Sequence, residues 1–186
     1  MNEQQSAIVG TIEATFEGVI GAGLRRTAVS GATDAEIDGF AAEQGVTDVP
    51  VAVRAVLRLI GSESGLWWAG THFGVKYIFG EHKQYAIDTL DTVEHELRCP
   101  EGLLVLSSHQ SYEYVVIDGA DLHLDDPPVW EVVEHEHAHR FWDRVSGWFA
   151  ATAPDIDGYR DDAECYAEMG FEHPWRFDID PDPRGS

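Results

Sequence analysis

Residues 103–149 read LLVLSSHQSYEYVVIDGADLHLDDPPVWEVVEHEHAHRFWDRVSGWF and carry the clearest strand signals of the chain. The apolar run at 103–106 predicts a central strand, and the tyrosine-rich alternation at 112–117 predicts the strongest strand. Asp118-Gly119 predicts a turn. The prolines of 125–128 cannot lie inside a strand, because proline donates no ladder hydrogen bond. This stretch therefore predicts short strands separated by turns.

The strand pattern resumes at 129–133 and leads directly into a histidine cluster. His135-Glu136-x-x-His139 matches the HExxH string, in which two histidines on one helix face bind Zn²⁺ and the glutamate activates a bound water. Charged residues flank this string and a predicted strand precedes it. We therefore expect a solvated polar turn entering the closing helix, with no metal ligand and no catalytic residue. A zinc-dependent hydrolase is the alternative, and incidental metal binding that includes His137 stays open.

An aromatic helix and then an acidic extension are predicted after the histidines. The helix is marked by Phe141, Val145 and Phe149, and Trp142 and Trp148 flank these residues. Residues 154–186 are acidic, with glycine, proline and scattered aromatic residues. We expect this extension to be partly ordered, with a short helix at 161–169 and frayed residues at 181–186.

Helices are also predicted before this stretch. Residues 6–29 carry a weak apolar stripe that glycines interrupt. Residues 31–45 carry a clean helix pattern, in which Thr33 or Asp34 can cap the helix, Glu36 stands where a capping-box partner of Thr33 would and a glycine supplies the stop. A second helix is predicted at 50–60, because proline is favourable in a first helical turn.

The periodicity changes in the middle of the chain. LWWAG and VKYIF, between residues 66 and 79, are typical of two strands around a glycine-rich turn. Adjacent strand residues point to opposite faces, so we expect one of Trp67 and Trp68 to be exposed. Residues 85–87 predict a short strand, and residues 88–97 predict a helix that Asp88 caps.

Charge is the outlier of the composition. The 186 residues include 12 Lys and Arg against 34 Asp and Glu, which gives a net charge of −22. Such a field repels phosphate backbones and anionic membrane surfaces, so we expect no direct contact with nucleic acid or with a membrane. The same field would attract a basic protein. Solubility alone is the other interpretation of the charge.

Size and cysteine usage predict one domain with extensions. A hydrophobic content of 44% and six tryptophans predict an aromatic-rich core. Cys99 and Cys165 provide neither a disulfide framework nor a cysteine zinc site. The start of the chain lacks the basic region of a secretory signal, so we expect a cytoplasmic protein. We divide it into an N-terminal helical segment (1–30), an α+β domain (31–153) and an acidic extension (154–186).

The order of elements over residues 31–150 resembles the SMI1/KNR4 (SUKH) superfamily. Ile37 and Phe40, then Gly45 and Val49-Pro50, match the family's opening pattern of Ile, Phe, Gly and Leu-Pro. The tyrosine-rich strand, the Asp-Asp-Pro-Pro-Val-Trp turn and the aromatic final helix follow in the family's order. The chain departs from the pattern at Val49, where the family usually has leucine. After the second helix it carries Ile60-Gly61 in place of the family's usual Asn-Gly pair.

The resemblance implies an α+β fold, with a mostly antiparallel sheet and helices packed against it. It also implies an immunity protein that binds a cognate bacterial toxin and neutralises it by occlusion. The toxin is often a nuclease. Such an immunity protein needs no catalytic residue and no cofactor. A regulatory scaffold, as in eukaryotic relatives, is a further alternative. The acidic extension and a set of aromatic and acidic residues are the expected contacts with a basic toxin. That set is Trp67, Trp68, Tyr112, Tyr114, Asp125 and Asp126.

Overall fold

A computed structural model describes residues 1–180, and the fraying expected for residues 181–186 lies outside the described residues. The α-helices are α1 (Glu3–Ala22), α2 (Asp34–Glu43), α3 (Val51–Ile60), α4 (Gly80–Leu90), α5 (Val145–Ala151) and α6 (Ile156–Glu168). The strands are β1 (His72–Phe73), β2 (Leu104–His109), β3 (Glu113–Ile117), β4 (Val129–Val133) and β5 (His137–Trp142). Among residues 1–180, no helix has the length and apolar character needed to cross a membrane.

The strands form one antiparallel sheet in the order β1-β2-β3-β4-β5, so each strand pairs with its neighbour in sequence. Helix α4 packs against β2 and β4, while α1, α3 and α5 pack against one another. The expected α+β fold, with helices packed against a mostly antiparallel sheet, is confirmed. The strands predicted at 103–106, 112–117 and 129–133 correspond to β2, β3 and β4.

The α2–α3 pair forms where the local signals predict it. Thr33 caps α2 and shares a capping box with Glu36, as predicted. Arg58 of α3 donates hydrogen bonds of 2.7 and 2.9 Å to the two carboxylate oxygens of Asp34, and Arg54 donates to Asp34 and Asp38. These contacts hold the first turns of α2 against α3.

Gln44 completes the hydrogen bonding of β2 at a place where no strand reaches it. Its side chain is 2% exposed, accepts a hydrogen bond of 2.8 Å from the Val105 N–H and donates one of 3.2 Å to the Val105 carbonyl. Strand β1 pairs only with Ser107 and Ser108 of β2. The side-chain amide therefore takes the place of a strand beside Val105, which anchors the end of α2 to the sheet.

Stacked aromatic rings fill the space between the helices. Trp67 lies between Phe149 of α5 and Phe16 of α1, with ring centroids 4.8 and 5.9 Å away. Trp68 stacks on Trp148 of α5 at 5.2 Å. Each aromatic residue buries a large apolar area, and stacked pairs add a further ~0.5–1.5 kcal/mol. The predicted aromatic-rich core is therefore present, and it lies on the α1–α5 side of the molecule.

The two strands predicted between residues 66 and 79 are wrong. Both tryptophans lie in a short 3₁₀ helix, Gly65–Trp68, and the only strand of the region is the two-residue β1. Gly74 has a φ of +76°, and a Cβ there would lie 2.3 Å from the Gly61 carbonyl oxygen. This close approach turns the chain back onto the end of α3, so residues 75–77 form a turn instead of a ladder and residues 78–79 lead into α4.

The short strand at 85–87 and the helix at 88–97 are also wrong. Residues 80–90 form α4, so that residues 85–87 and Asp88 lie inside a helix. Gln84 donates to Asp88 one helical turn later, which gives this carboxylate a role within α4 instead of a capping role. Residues 91–99 then form turns and loop, because the Arg98 and Cys99 N–H groups donate to Asp118 instead of to a preceding helical turn.

The two ends of the described chain lie side by side. Helix α1 begins at an Asn2 capping box and ends at Ala22, which is shorter than the predicted span of 6–29. Helix α6 covers most of the short helix predicted at 161–169 and begins earlier. Leu24 and Ile179 form an isolated antiparallel bridge, and both side chains belong to the hydrophobic core. The N-terminal helix is thus fastened to the last described residues.

Candidate partner-binding surface

Two of the expected contact residues lie in the interior. Trp67 is 4% exposed because it is stacked between α1 and α5, and Tyr114 is 0% exposed on the covered face of β3. The Tyr114 hydroxyl donates to the Ser111 carbonyl at 2.8 Å, and burial raises the pKa of Tyr114. Neither side chain offers surface to a partner, so both residues act in packing.

Trp68 and Tyr112 differ in what they offer. Trp68 is half-buried, stacks on Phe73 and Trp148, and presents little surface. The alternation argument for it does not apply, because the residue lies in a 3₁₀ helix instead of a strand. Tyr112 is 39% exposed in the turn between β2 and β3, where its ring meets His109 edge-on. Of the predicted aromatic contacts, Tyr112 is the most accessible.

Asp125 and Asp126 have structural partners. Asp126 accepts hydrogen bonds from the Ser146 N–H at 3.0 Å and from its hydroxyl at 2.6 Å, which satisfies the first turn of α5. Asp125 accepts a hydrogen bond of 2.9 Å from the Gln5 side chain of α1. Both carboxylates line an open cavity of about 550 Å³ that Arg144 also lines. They hold helices in place and remain half-exposed to a partner.

The HExxH string does not form a helix. His135 lies in the tight turn between β4 and β5 with a φ of +61°, whereas His139 lies on β5. A zinc helix would place both histidines on one face, one turn apart, and here a chain reversal separates them. His137 contacts Glu131 at 3.0 Å and stacks on His139 at 5.0 Å. Within residues 1–180, no three metal-ligating side chains are arranged to hold an ion.

Phe141 and Trp142 also belong to β5, which corrects their placement in the closing helix. Val145 and Phe149, which mark the predicted helix, do lie on it and are buried, and Trp148 is buried there as well. Strand β5 was missed because its side chains show no apolar alternation. Its residues His139, Arg140 and Phe141 are all exposed, as expected for a strand at the edge of a sheet.

The two most exposed aromatic side chains of the described chain, Phe171 and Phe177, lie near its end. We name residues 166–177 the C-terminal aromatic segment. Its exposed large side chains are Tyr166 (40%), Met169 (62%), Phe171 (65%), Trp175 (37%) and Phe177 (65%). Sequence reasoning proposed the acidic extension as a contact without selecting these residues, although their aromatic character was visible.

Local signals fix the backbone of the C-terminal aromatic segment. Helix α6 ends in a Schellman motif: Gly170 has a φ of +80°, and the Phe171 N–H donates to the Tyr166 carbonyl at 2.8 Å. His173, which is 7% exposed, then packs against the rings of Tyr166 and Trp175 with centroids 4.9 and 5.4 Å away. The buried histidine holds its aromatic neighbours, while Phe171 and Phe177 stay exposed.

Most positive charges in residues 1–180 are neutralised by carboxylates of the chain. Among residues 1–180, every lysine and arginine except Lys83 and Arg144 lies in an ion pair with a carboxylate. Arg176 illustrates this inside the C-terminal aromatic segment, since it pairs with Glu172 and lies 4.4 Å from the Phe177 ring centroid. The unpaired charge on the surface therefore comes from carboxylates. The exposed aromatic side chains lie among acidic residues.

No protein-family model matches this chain, and a search of curated proteins also finds no match. The resemblance to the SMI1/KNR4 superfamily therefore stays a prediction, although the fold class that it implies is present.

Proposed function

We propose that this chain is a non-catalytic immunity-type protein that binds a basic toxin domain and covers its active surface. The observation that carries the proposal is the C-terminal aromatic segment, whose large apolar side chains are exposed among acidic residues. Clustered exposed apolar side chains with a polar rim mark interaction surfaces in soluble proteins. Covering a toxin by binding needs such a surface and needs no reactive group on this chain.

The charge of the chain supports a basic partner. Because most arginines and lysines are held in internal ion pairs, the field of the −22 net charge originates from carboxylates that lack a cation. Complementary fields raise association rates by about 10- to 10³-fold. Nucleases carry basic surfaces because they bind phosphate backbones, so a nuclease domain would fit this field well.

The aromatic side chains would supply most of the binding affinity, because long-range electrostatic attraction mainly raises the association rate. Burying one Phe side chain is worth about 1.5–3 kcal/mol, and interface hot spots are enriched in aromatic residues and arginine. Phe171 and Phe177 have the largest exposed fractions of the phenylalanines in the described chain. They are the first side chains that we expect to lie buried in a complex.

The proposal predicts a toxin gene next to this one, and co-expression with that toxin domain tests it. We expect the wild-type chain to restore growth, the double variant F171A/F177A to lose that protection, and its Kd for the toxin to rise at least about tenfold. Y85A is the matched control, because Tyr85 is a 48% exposed aromatic residue on α4. Full protection by F171A/F177A, or no protection by the wild type, would refute the proposal.

A further inference from the structure

Strand β5 leaves one edge of the sheet open. It is the last strand in the order and pairs only with β4. Within residues 1–180, no backbone group of a loop or helix donates to the outer side of residues 137–142 or accepts from it. Natural proteins usually cover or charge such an edge, because its free N–H and C=O groups are a template for another strand. The six residues of β5 are long enough to pair with an added segment.

A groove lies against strands β4 and β5. It has a volume of about 620 Å³ and lies between the loop that follows α4 and strands β4 and β5. The lining residues are Glu94, His95, Glu96, Trp130, Ala138, His139 and Arg140. The groove is therefore acidic on its loop side and carries strand residues on the other.

A buried donor without a partner lies in the same wall. Trp130 is 7% exposed, and its indole Nε1–H finds no acceptor within the described part of the chain. The indole N–H groups of Trp68 and Trp148 are unpaired in the same way, but the one of Trp130 lies at the groove, where a ligand that carries an acceptor would satisfy it. A peptide carbonyl is such an acceptor.

The two faces of β5 differ in chemistry. Strand alternation puts the side chains of Ala138 and Arg140 on one face of β5 and the stacked rings of His137 and His139 on the other, although His139 also borders the groove. Alternate side chains of an added strand would therefore meet the glutamates of the groove on one face and the histidines on the other. This pattern fits an extended segment in which basic residues alternate with apolar ones.

We propose that the outer edge of β5 binds an extended, basic segment of a protein partner as a sixth strand of the sheet. This inference rests on the proposed function for the basic character of the partner. Backbone hydrogen bonds to β5 supply the affinity of such strand addition, and alternate side chains supply the selectivity. A second copy of this chain is the poorer occupant, because two chains of charge −22 repel each other.

Hydrogen exchange of the full-length protein with a nine-residue peptide of alternating lysine and valine tests this inference. We expect saturating peptide to slow exchange of the outward amides of 137–142 at least about tenfold. The same peptide with a central proline should protect them far less, because proline donates no ladder hydrogen bond. E94Q/E96Q should weaken peptide binding about fivefold more than E13Q/E43Q, which changes the net charge equally.

Three outcomes would overturn the inference. The first is peptide binding without slower exchange in 137–142, and the second is equal weakening by the two double variants. The third is dimerisation of the protein alone that protects the same amides. Growth rescue does not enter this test. Slower exchange in β5 without growth rescue would support the edge site and refute the proposed function. Growth rescue without slower exchange in β5 would support the proposed function and refute the edge site.

Discussion

Asp118 is the residue on which the loop after α4 depends. Its carboxylate is 1% exposed and accepts hydrogen bonds from the N–H groups of Arg98, Cys99 and Ala120, at 2.7, 2.9 and 3.0 Å. Charge-assisted bonds to backbone N–H groups are stronger than neutral ones, and an unsatisfied buried donor costs about 1–3 kcal/mol. Glu94 and Glu96, which line the groove against β4 and β5, lie on the loop that Asp118 holds in place.

We expect D118A to lower the free energy of unfolding by about 3 kcal/mol or more, because several N–H groups lose their acceptor. D118N should fall between the alanine variant and the wild type, since one carbonyl oxygen is kept. D143A is the control, because the Asp143 side chain is 86% exposed. Urea denaturation measures all of them, and a loss below about 1 kcal/mol for D118A would contradict the assigned role.

At the scale of single residues, the sequence predicted chemistry better than exposure. Trp67 and Tyr114 were expected on the surface but are buried, because their burial depends on rings and helices far away in the chain. Asp126 caps α5 across 20 residues, a contact that a local turn signal does not reveal. Phe171 and Phe177 stay exposed because no distant element covers them, which sequence alone cannot show.

At the scale of elements, the α2–α3 pair makes stability depend on pH. Hydrogen bonds from Arg58, followed by those from Arg54, hold the pKa of Asp34 below its usual value. A folded pKa below the unfolded value of about 4 means that the contacts stabilise the fold above that pH. Their contribution is lost as the pH falls through the folded pKa of Asp34.

D34N should therefore lower the Tm at pH 7, and the difference from the wild type should shrink as the pH falls below about 4. Thermal melts between pH 7 and pH 2.5 measure this change. D161N on α6 provides an exposed carboxylate for comparison. A difference between D34N and the wild type that stays constant down to pH 2.5 would show that the ion pairs do not act as described.

Elements with local signals were predicted, and elements set by distant contacts were not. Helix α2 carries its own cap, and β2, β3 and β4 carry apolar runs bounded by turn residues. The chain between residues 66 and 97 is shaped by Gly74 against Gly61 and by the tryptophan stacks. Strand β5 lacks an apolar alternation because it lies at the edge of the sheet. Its residues were therefore predicted to form a turn and a helix.

The C-terminal aromatic segment is carried by an anchor at the end of the described chain. Ile179 is 6% exposed and pairs with Leu24, whereas Met169 is 62% exposed. We expect I179A to cost about 2–4 kcal/mol and M169A less than about 0.5 kcal/mol in chemical denaturation. Equal small effects of the two substitutions would mean that the segment does not depend on this anchor.

At the scale of the whole molecule, net charge and exposed aromatic side chains contribute to different steps of binding. The net charge of −22 acts over a distance of about one Debye length, which is ~8 Å at physiological salt. The exposed aromatic side chains act only in contact. Salt should therefore change how fast a partner arrives far more than how long it stays.

Stopped-flow association of the wild-type chain with the toxin domain that the proposal predicts beside its gene, in rising salt, tests the central claim most directly. Between about 20 and 300 mM NaCl, we expect kon to fall at least about tenfold while koff changes less than about threefold. The same trend should hold for F171A/F177A, with a faster koff at every salt concentration. An association rate that does not depend on salt would contradict the account of an acidic protein that captures a basic toxin.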